Sequence, residues 1–393
     1  MFKRLKECYL GSWWIYMKKC IVFSILFIGI VGCRHRVSSE SVEDKIKSPS
    51  NRGYVLSEVV TAILQKSPNA PLKINQNIRR IAFGSCMDQH YAQPVWEALN
   101  RDQVDLFIGL GDLVYASAPA DKPMGKAYLE QIEKNPQLIE FRKKVPWLGV
   151  WDDHDFGIND GGGHHPEYSE AKSLLMAFLP NSAKVMPPEE EKGVYHSVIL
   201  GNKPQTLQII FLDTRTHRSP LLPHPEAKNN PKLRYSPSDD PQARFLSEEQ
   251  WAWLEQEFMK PANVRLLISS IQVLPDQHGF EKWGNFPKER ERLLQLIKKH
   301  RLKNLVILSG DRHFSEVSRV PLNKKRFLYE ITSSGLNRES NLMDEKNPFR
   351  VNGSAYFKPN YGLIEIDYAR GRIIYQTKDQ MGQEVFKIQI PLR

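Results

Sequence analysis

The sequence predicts an α/β protein, a sandwich of two mixed sheets flanked by helices, and three observations carry that reading. Short continuous apolar runs recur along the chain, and such a run reads as a strand buried on both faces. The earlier runs are separated by segments with helix signals, as parallel crossover units require. The last runs follow one another closely, as antiparallel strands do. With 393 residues and 41% apolar composition, the chain can bury a substantial core as one large domain or two ordinary ones.

In chain order the strand candidates are Ile78–Phe83, Leu106–Leu110, Trp147–Val150, Gly193–Leu200, Leu207–Leu212, Val264–Ser270, Asn304–Leu308, Phe327–Thr332, Tyr361–Asp367, Arg372–Thr377 and Val385–Ile390. Between them, Pro94 opens a helix through Leu99 with proline in its first turn. Ser247-Glu248-Glu249-Gln250 forms a capping box ahead of Trp251, Leu254 and Phe258. Pro287–His300 is a further helix, with Leu293, Leu294 and Ile297 inward and basic residues in the last turn, where the helix dipole favours them. Two stretches lack periodicity: the Pro-rich run from His217 to Arg244, and Asp276 to Phe286. Long irregular runs inside compact domains serve as lids or binding loops, and few buried contacts are expected to depend on the first one.

The formal charge is +10, but residues 1–32 hold five basic residues and one acid, so the remainder carries only +6. No basic helix or RNA-binding motif accompanies that excess, so no stable nucleic-acid partner is expected. Met17-Lys18-Lys19 precedes the apolar run Ile21–Val31, which ends at Gly32-Cys33. Eleven apolar residues are too few to span a bilayer, which takes about 20, but they suit a signal-peptide core. A small residue before Cys33 resembles the end of a bacterial lipoprotein leader. Residues 1–33 are therefore expected to be a signal peptide, with Met17 a candidate start and a lipid anchor at Cys33. Ordinary cleavage or an uncleaved anchor are the alternatives. Residues 34–77 read as a polar tether with one short helix at Ser57–Lys66, and residues 78–393 as the catalytic body. The expected location is the cell envelope, either the periplasm or the outer membrane. Of the four cysteines only Cys86 lies in that body, which excludes an internal disulfide there.

Four motifs sit where apolar runs give out: Gly84-Ser85-Cys86, Gly111-Asp112-Leu113-Val114-Tyr115, Asp152-Asp153-His154-Asp155 and Gly310-Asp311-Arg312-His313. Ligands of open α/β sheets collect at the carboxyl ends of strands, so these segments are expected to converge on one site rich in metal ligands. Alone, each has an ordinary explanation: a buried small thiol, a polar turn, a core aromatic.

Their order and wording resemble the PhoD-like alkaline phosphatase and phosphodiesterase family of metallophosphoesterases. Leu212-Asp213-Thr214-Arg215 and Thr332-Ser333-Ser334-Gly335 agree as well, and the likeness runs from about Ile78 to about Ile366. The best-known members carry a small β domain ahead of the catalytic one, and the roughly forty-five residues between Cys33 and Ile78 are too few for it. The resemblance implies a four-layer α-β-β-α architecture and a metal-dependent phosphoric ester hydrolase. Two metal ions about 3.5–4 Å apart supply positive charge and an activated water in such chemistry. Cys86, Asp112, Tyr115, Asp311 and His313 would form one centre, where thiolate and phenolate favour iron(III). Asp112, Asn159 and Asp153 would form the second, where oxygen ligands suit calcium or magnesium. His154 is the candidate proton donor or phosphate ligand. Arg215 is the candidate substrate contact, with an ion pair to Asp213 as the competing reading. The substrate would be a monoester, a diester or a phospholipid head group. Two other classes remain open: an envelope lipoprotein that keeps the fold without activity, and a zinc hydrolase acting on another bond. Intact ligand types argue against the former, and the lack of His-Glu-x-x-His against the latter.

Overall fold

The computed structural model describes residues 52–116, 124–165, 168–340 and 345–392. The proposed leader, Cys33 and most of the expected tether lie outside the described residues. Two six-stranded mixed sheets form the body. The first sheet uses β1 (Arg80–Gly84), β2 (Leu106–Gly109), β3 (Trp147–Gly149), β12 (Asn360–Asp367), β13 (Arg372–Asp379) and β14 (Glu384–Pro391), in the order β14-β13-β12-β1-β2-β3. The second uses β4 (His196–Leu200), β5 (Leu207–Phe211), β8 (Val264–Ser269), β9 (Leu305–Ser309), β10 (Ser315–Asn323) and β11 (Arg326–Ser333), in the order β10-β11-β9-β8-β5-β4. A two-stranded ribbon pairs β6 (Leu222–Pro223) with β7 (Tyr235–Ser236).

Parallel pairing runs along one half of the first sheet, β1 with β2 and β2 with β3, and through the middle of the second, β5-β8-β9-β11. Strand side chains alternate between faces, so residues one apart in sequence enter different layers. In the second sheet Ile209, Leu266, Ile268, Val306 and Leu308 join the core shared with the first sheet. Ile210, Leu267 and Ile307 point the other way, against Trp251, Leu254 and Phe258 of helix Glu248–Met259 and Leu293 and Ile297 of helix Pro287–Lys299. The outer side of the first sheet is closed by an aromatic group: Trp96 of helix Val95–Arg101 and Phe141 of helix Pro136–Lys144 lie 5.6 and 5.8 Å from Phe107 of β2. The four-layer expectation is met.

Three expectations change. Residues 52–77 are not simply tether: helix Arg52–Lys66 packs on helices Met124–Lys134 and Tyr168–Phe178, with Val59 and Ile63 inside the core. β10 escaped the sequence reading because Ser, Glu and Pro321 interrupt its apolar pattern. An edge position and a buried first half explain how it tolerates them. The two irregular stretches are also not independent, since Arg234 N and Tyr235 N both donate to Gly279 O (2.8 and 2.9 Å) and Ser238 N donates to Asn285 O (2.8 Å). Arg218, Glu281 and Trp283 are buried at their bases, so these stretches are partly core.

Candidate metal centre

The carboxyl ends of β1, β2, β3, β9 and β11 bring the four motifs together, and the backbone there is strained. Cys86, Asp112, Asp311 and His313 hold φ of 59°, 50°, 68° and 56°. Left-handed backbone is uncommon for residues other than glycine, and its concentration at one place is typical of functional sites. Glycine is needed beside them: a Cβ on Gly111 would sit 2.4 Å from the Asp152 Cβ, and one on Gly310 would sit 2.5 Å from the Ser85 Oγ. Without side chains at these two positions, the loops can pass closely enough for their neighbours to meet.

The Cys86 thiol lies 3.5 Å from Asp112 Oδ2 and 3.1 Å from the Ser334 hydroxyl. The Tyr115 hydroxyl is 2.9 Å from His313 Nε2, and its ring lies tilted against the His154 ring with 4.1 Å between centroids. The His154 N–H donates to Asp112 Oδ1 (3.1 Å) and Asp153 Oδ1 (2.8 Å). Ligand atoms of Asp112, Asp153 and His154 lie within 4.8 Å of one another, as do those of Asp152, Asp153 and Asp311, and those of Asp153, Asp160 and Glu281. Asp153 therefore stands where three acidic groups overlap. Asp155 ties two of the loops together: its carboxylate accepts from the N–H of Leu113 (2.8 Å), Val114 (3.1 Å) and Asp152 (3.0 Å).

Electrostatics show how much negative charge is packed here. Burial, then the charges of Asp153, Cys86, Asp152 and Asp155, push the Asp112 carboxyl well up. Asp311 is likewise raised, by burial and by Asp152 and Asp153, against the attraction of Arg312. Burial and Asp311 push the Cys86 thiol up to about 11. Asp153 goes the other way: burial raises it, but His154, Arg215 and the Asp160 N–H outweigh that and hold it below the usual carboxylate range. Burial lowers His154, opposed by Asp153, and lowers His313 to about 3 with help from Arg338 and Arg312. Among the described residues Asp311 Oδ2 and Asp152 Oδ2 are buried without a hydrogen-bond partner. Buried acceptors without donors, in a cluster whose carboxylates repel one another, are what a bound cation would satisfy. The donor set fits metal ions.

Seven of the nine expected site residues meet in this place: Cys86, Asp112, Tyr115, Asp153, His154, Asp311 and His313. The other two do not. Asn159 is exposed on the turn after the short helix Asp153–Phe156 and is hydrogen-bonded to none of the others among the described residues. The next residue, Asp160, meets the cluster instead: its backbone N–H donates to Asp153 Oδ2 (2.6 Å), and its carboxylate lies within 4.8 Å of those of Asp153 and Glu281. Arg215 is directed at Asp152 and Glu281. It is fully buried, with Nε on Asp152 Oδ1 (2.7 Å) and Nη1 on Glu281 Oε2 (2.7 Å). Nor does it pair with Asp213, whose carboxylate accepts instead from the Arg215 and Thr216 N–H groups and from Trp151 Nε1 (3.0 Å). The sequence reading missed Asp152, Ser334 and Glu281. The first two lie inside motifs already recognised, and only the choice between Asp152 and Asp153 needed coordinates. Glu281 lies in an irregular segment with no local signal.

A model of the PhoD-like phosphatase family matches residues 81–382. The chain belongs to that family. Alkaline phosphatase D of Bacillus subtilis (strain 168) is 23% identical over 295 residues, 64% of this chain and 48% of that relative, so the match spans about half the relative's length. A solved structure of PhoD superposes with a TM-score of 0.61 at 19% identity, covering 82% of this chain and 74% of that one. The purple acid phosphatase PPD1 from yellow lupin seeds superposes at 0.52 with 14% identity, over 82% and 55%. At these identities the two structures show a shared fold. The family match covers all four motifs, the whole second sheet and the first sheet except its last strand, β14.

Proposed function

We propose that this chain is an exported, metal-dependent phosphoric ester hydrolase acting on monoesters or diesters. The observation that carries the reading is the buried meeting of Asp112, Asp153 and Asp311 with Cys86, Tyr115 and His313, in a member of a phosphatase family. Cys86, Tyr115, Asp311, His313 and Asp112 would hold iron(III), and Asp112 and Asp153 a calcium or magnesium ion. When bound, the ions supply positive charge for the phosphate oxygens and an activated water.

The chain's own residues set the rest. Asp112 stands between the Cys86 thiol on one oxygen and the His154 N–H on the other, which suits a carboxylate shared between two centres. His154 lies partly buried against the Tyr115 ring, and burial favours its neutral form. A neutral imidazole there can donate a hydrogen bond to a phosphate oxygen, and its imidazolium form, which the charge of Asp153 favours, would pass a proton to the departing alkoxide. Arg215 and Arg218 neutralise Asp152 and Glu281 behind the site and keep those carboxylates in place. Export and membrane attachment rest on Met17–Cys33, whose layout is that of a lipoprotein leader. No helix among the described residues is long and apolar enough to cross a membrane.

Elemental analysis of purified protein, combined with turnover of p-nitrophenyl phosphate and bis-p-nitrophenyl phosphate, tests the reading. Bound metal with turnover of at least one ester is expected. A protein that binds no metal at any supplied concentration and cleaves neither ester would overturn it.

A further inference from the structure

Beside the acidic cluster lies a groove of about 790 Å³ that contains none of the candidate metal ligands. That volume is within the range of small-molecule sites. Its walls include Tyr91, Arg338, Tyr356, Lys358, Gln380 and Met381. Arg338 joins the groove to the acidic cluster. Its guanidinium lies 5.5 Å from the Tyr91 ring on the groove side and 5.0 Å from the Tyr115 ring on the other. Tyr115 in turn reaches His313, so the groove begins one aromatic ring away from the candidate ligands.

The groove has a fixed frame and unused functional groups. Arg338 is held by Asp88 at 2.9 Å, and Asn337 binds the Asp88 backbone through both ends of its amide (2.8 and 2.7 Å). Asp379 is occupied in its own turn, accepting from the Met381 and Gln383 N–H groups. By contrast, the Lys358 ammonium, the Gln380 amide and the Tyr91 and Tyr356 hydroxyls have no hydrogen-bond partner among the described residues. Tyr91 and Met381 are 58% and 55% exposed, among the most exposed large apolar side chains described, and both face this one groove. A flat ring and a polarisable thioether beside free donors suit a ring that also carries hydrogen-bonding groups. A purely apolar acyl arm would leave those donors unpaired.

We propose that this groove receives the ring-bearing arm of a phosphodiester, a nucleoside or a glycosyl alcohol, while the phosphate occupies the acidic site. Tyr91 and Met381 would face the ring, Lys358 and Gln380 would hydrogen-bond its substituents, and Arg338 would mark the boundary at the phosphate. The inference rests on the phosphoesterase reading for what the neighbouring site does, but not for what the groove binds.

The test compares p-nitrophenyl esters that share a leaving group and differ in the other arm: thymidine 5′-phosphate, glucose 6-phosphate, and methyl phosphate as the armless reference. A ring-bearing arm should raise kcat/KM at least tenfold over methyl, and the better of the two identifies the class. Tyr91→Ala, Lys358→Ala and Gln380→Ala should each lower that preference severalfold while leaving methyl p-nitrophenyl phosphate turnover within twofold. In parallel, calorimetric titration of thymidine 5′-monophosphate, glucose 6-phosphate and inorganic phosphate should show tighter binding of at least one of the two ring-bearing ligands, lost in the same variants. Equal turnover of all three esters, or an equal loss on all of them in the variants, would overturn the groove assignment and leave the hydrolase reading standing. A protein that cleaves none of them yet binds a ring-bearing ligand through these residues would do the reverse. Failure of both ring-bearing ligands to bind more tightly than phosphate refutes the groove even if nothing is cleaved.

Discussion

Replacing Arg215 with methionine separates a structural cation from a substrate contact. The guanidinium is fully buried and donates to Asp152 twice, to Glu281 Oε2 (2.7 Å) and to the Gly161 carbonyl (3.1 Å). Methionine fills much of the volume but leaves Asp152 Oδ1 with only the Ser270 hydroxyl (2.6 Å), and Glu281 with only Arg218 (3.1 Å). Breaking a buried ion pair by removing one partner costs about 3–5 kcal/mol. The lower part of that range is expected, because Asp152 can escape by taking a proton: burial already lifts its carboxyl to about 8 against the attraction of Arg215. At about 2.1 cal/mol/K of unfolding entropy per residue, a body of this size loses roughly 1.5 °C of Tm per kcal/mol, so Arg215→Met should unfold roughly 4–6 °C below the parent. Thermal unfolding followed by circular dichroism, on metal-stripped and metal-loaded samples, reads this directly. Arg215→Lys should fall between the two, since it keeps the charge but not the planar fork that serves two carboxylates at once. An unchanged Tm together with a KM raised selectively for substrate would refute the structural role.

Three further outcomes are expected. Asp112→Asn should lose bound metal and at least nine-tenths of the activity, yet unfold at a higher temperature when metal-free. Asparagine tolerates the left-handed backbone and removes a charge that Asp153, Asp152 and Asp155 repel; full metal content with more than a tenth of the activity would refute the shared-carboxylate role. His196 is buried, stacked on Phe211 at 4.3 Å, and lowered to about 4 mainly by burial. Its folded value lies below the unfolded one, so its contribution is complete above about pH 6.5 and is lost as pH falls toward 4, worth roughly 3 kcal/mol. Denaturant titrations from pH 7 to pH 4.5 should therefore show a shallower decline for His196→Leu than for the parent, and parallel declines would exclude the assignment. In a bacterial host, Cys33→Ala should abolish lipid labelling and either release the protein or leave its leader uncut; unchanged size and membrane association would point to retention by the leader.

Much of this protein was legible in the sequence because short-range physics wrote it there. Buried parallel strands cannot alternate polar and apolar residues, so β1, β2 and β9 appear as continuous apolar runs, and β5 and β8 as runs broken only near their start by Gln208 and Arg265. Because ligands gather where such runs end, Cys86, Asp112, Tyr115, Asp153, His154, Asp311 and His313 could be grouped before any distance was known. Other features depended on contacts far apart in sequence. An edge strand such as β10 takes its place from its neighbour's register rather than from its own pattern. The inward turn of Asp160 in place of Asn159 depends on where Asp153 stands. The role of Arg215 depended on Glu281, 66 residues further along the chain. Nothing in the Leu212–Arg215 segment records that partner, and an arginine near a phosphate site reads as a substrate ligand until its neighbours are known. Sequence alone determined which kinds of atoms gather at the strand ends. Tertiary packing decided which charges face the site and which neutralise one another behind it, because that choice turns on burial and on partners that no local pattern encodes.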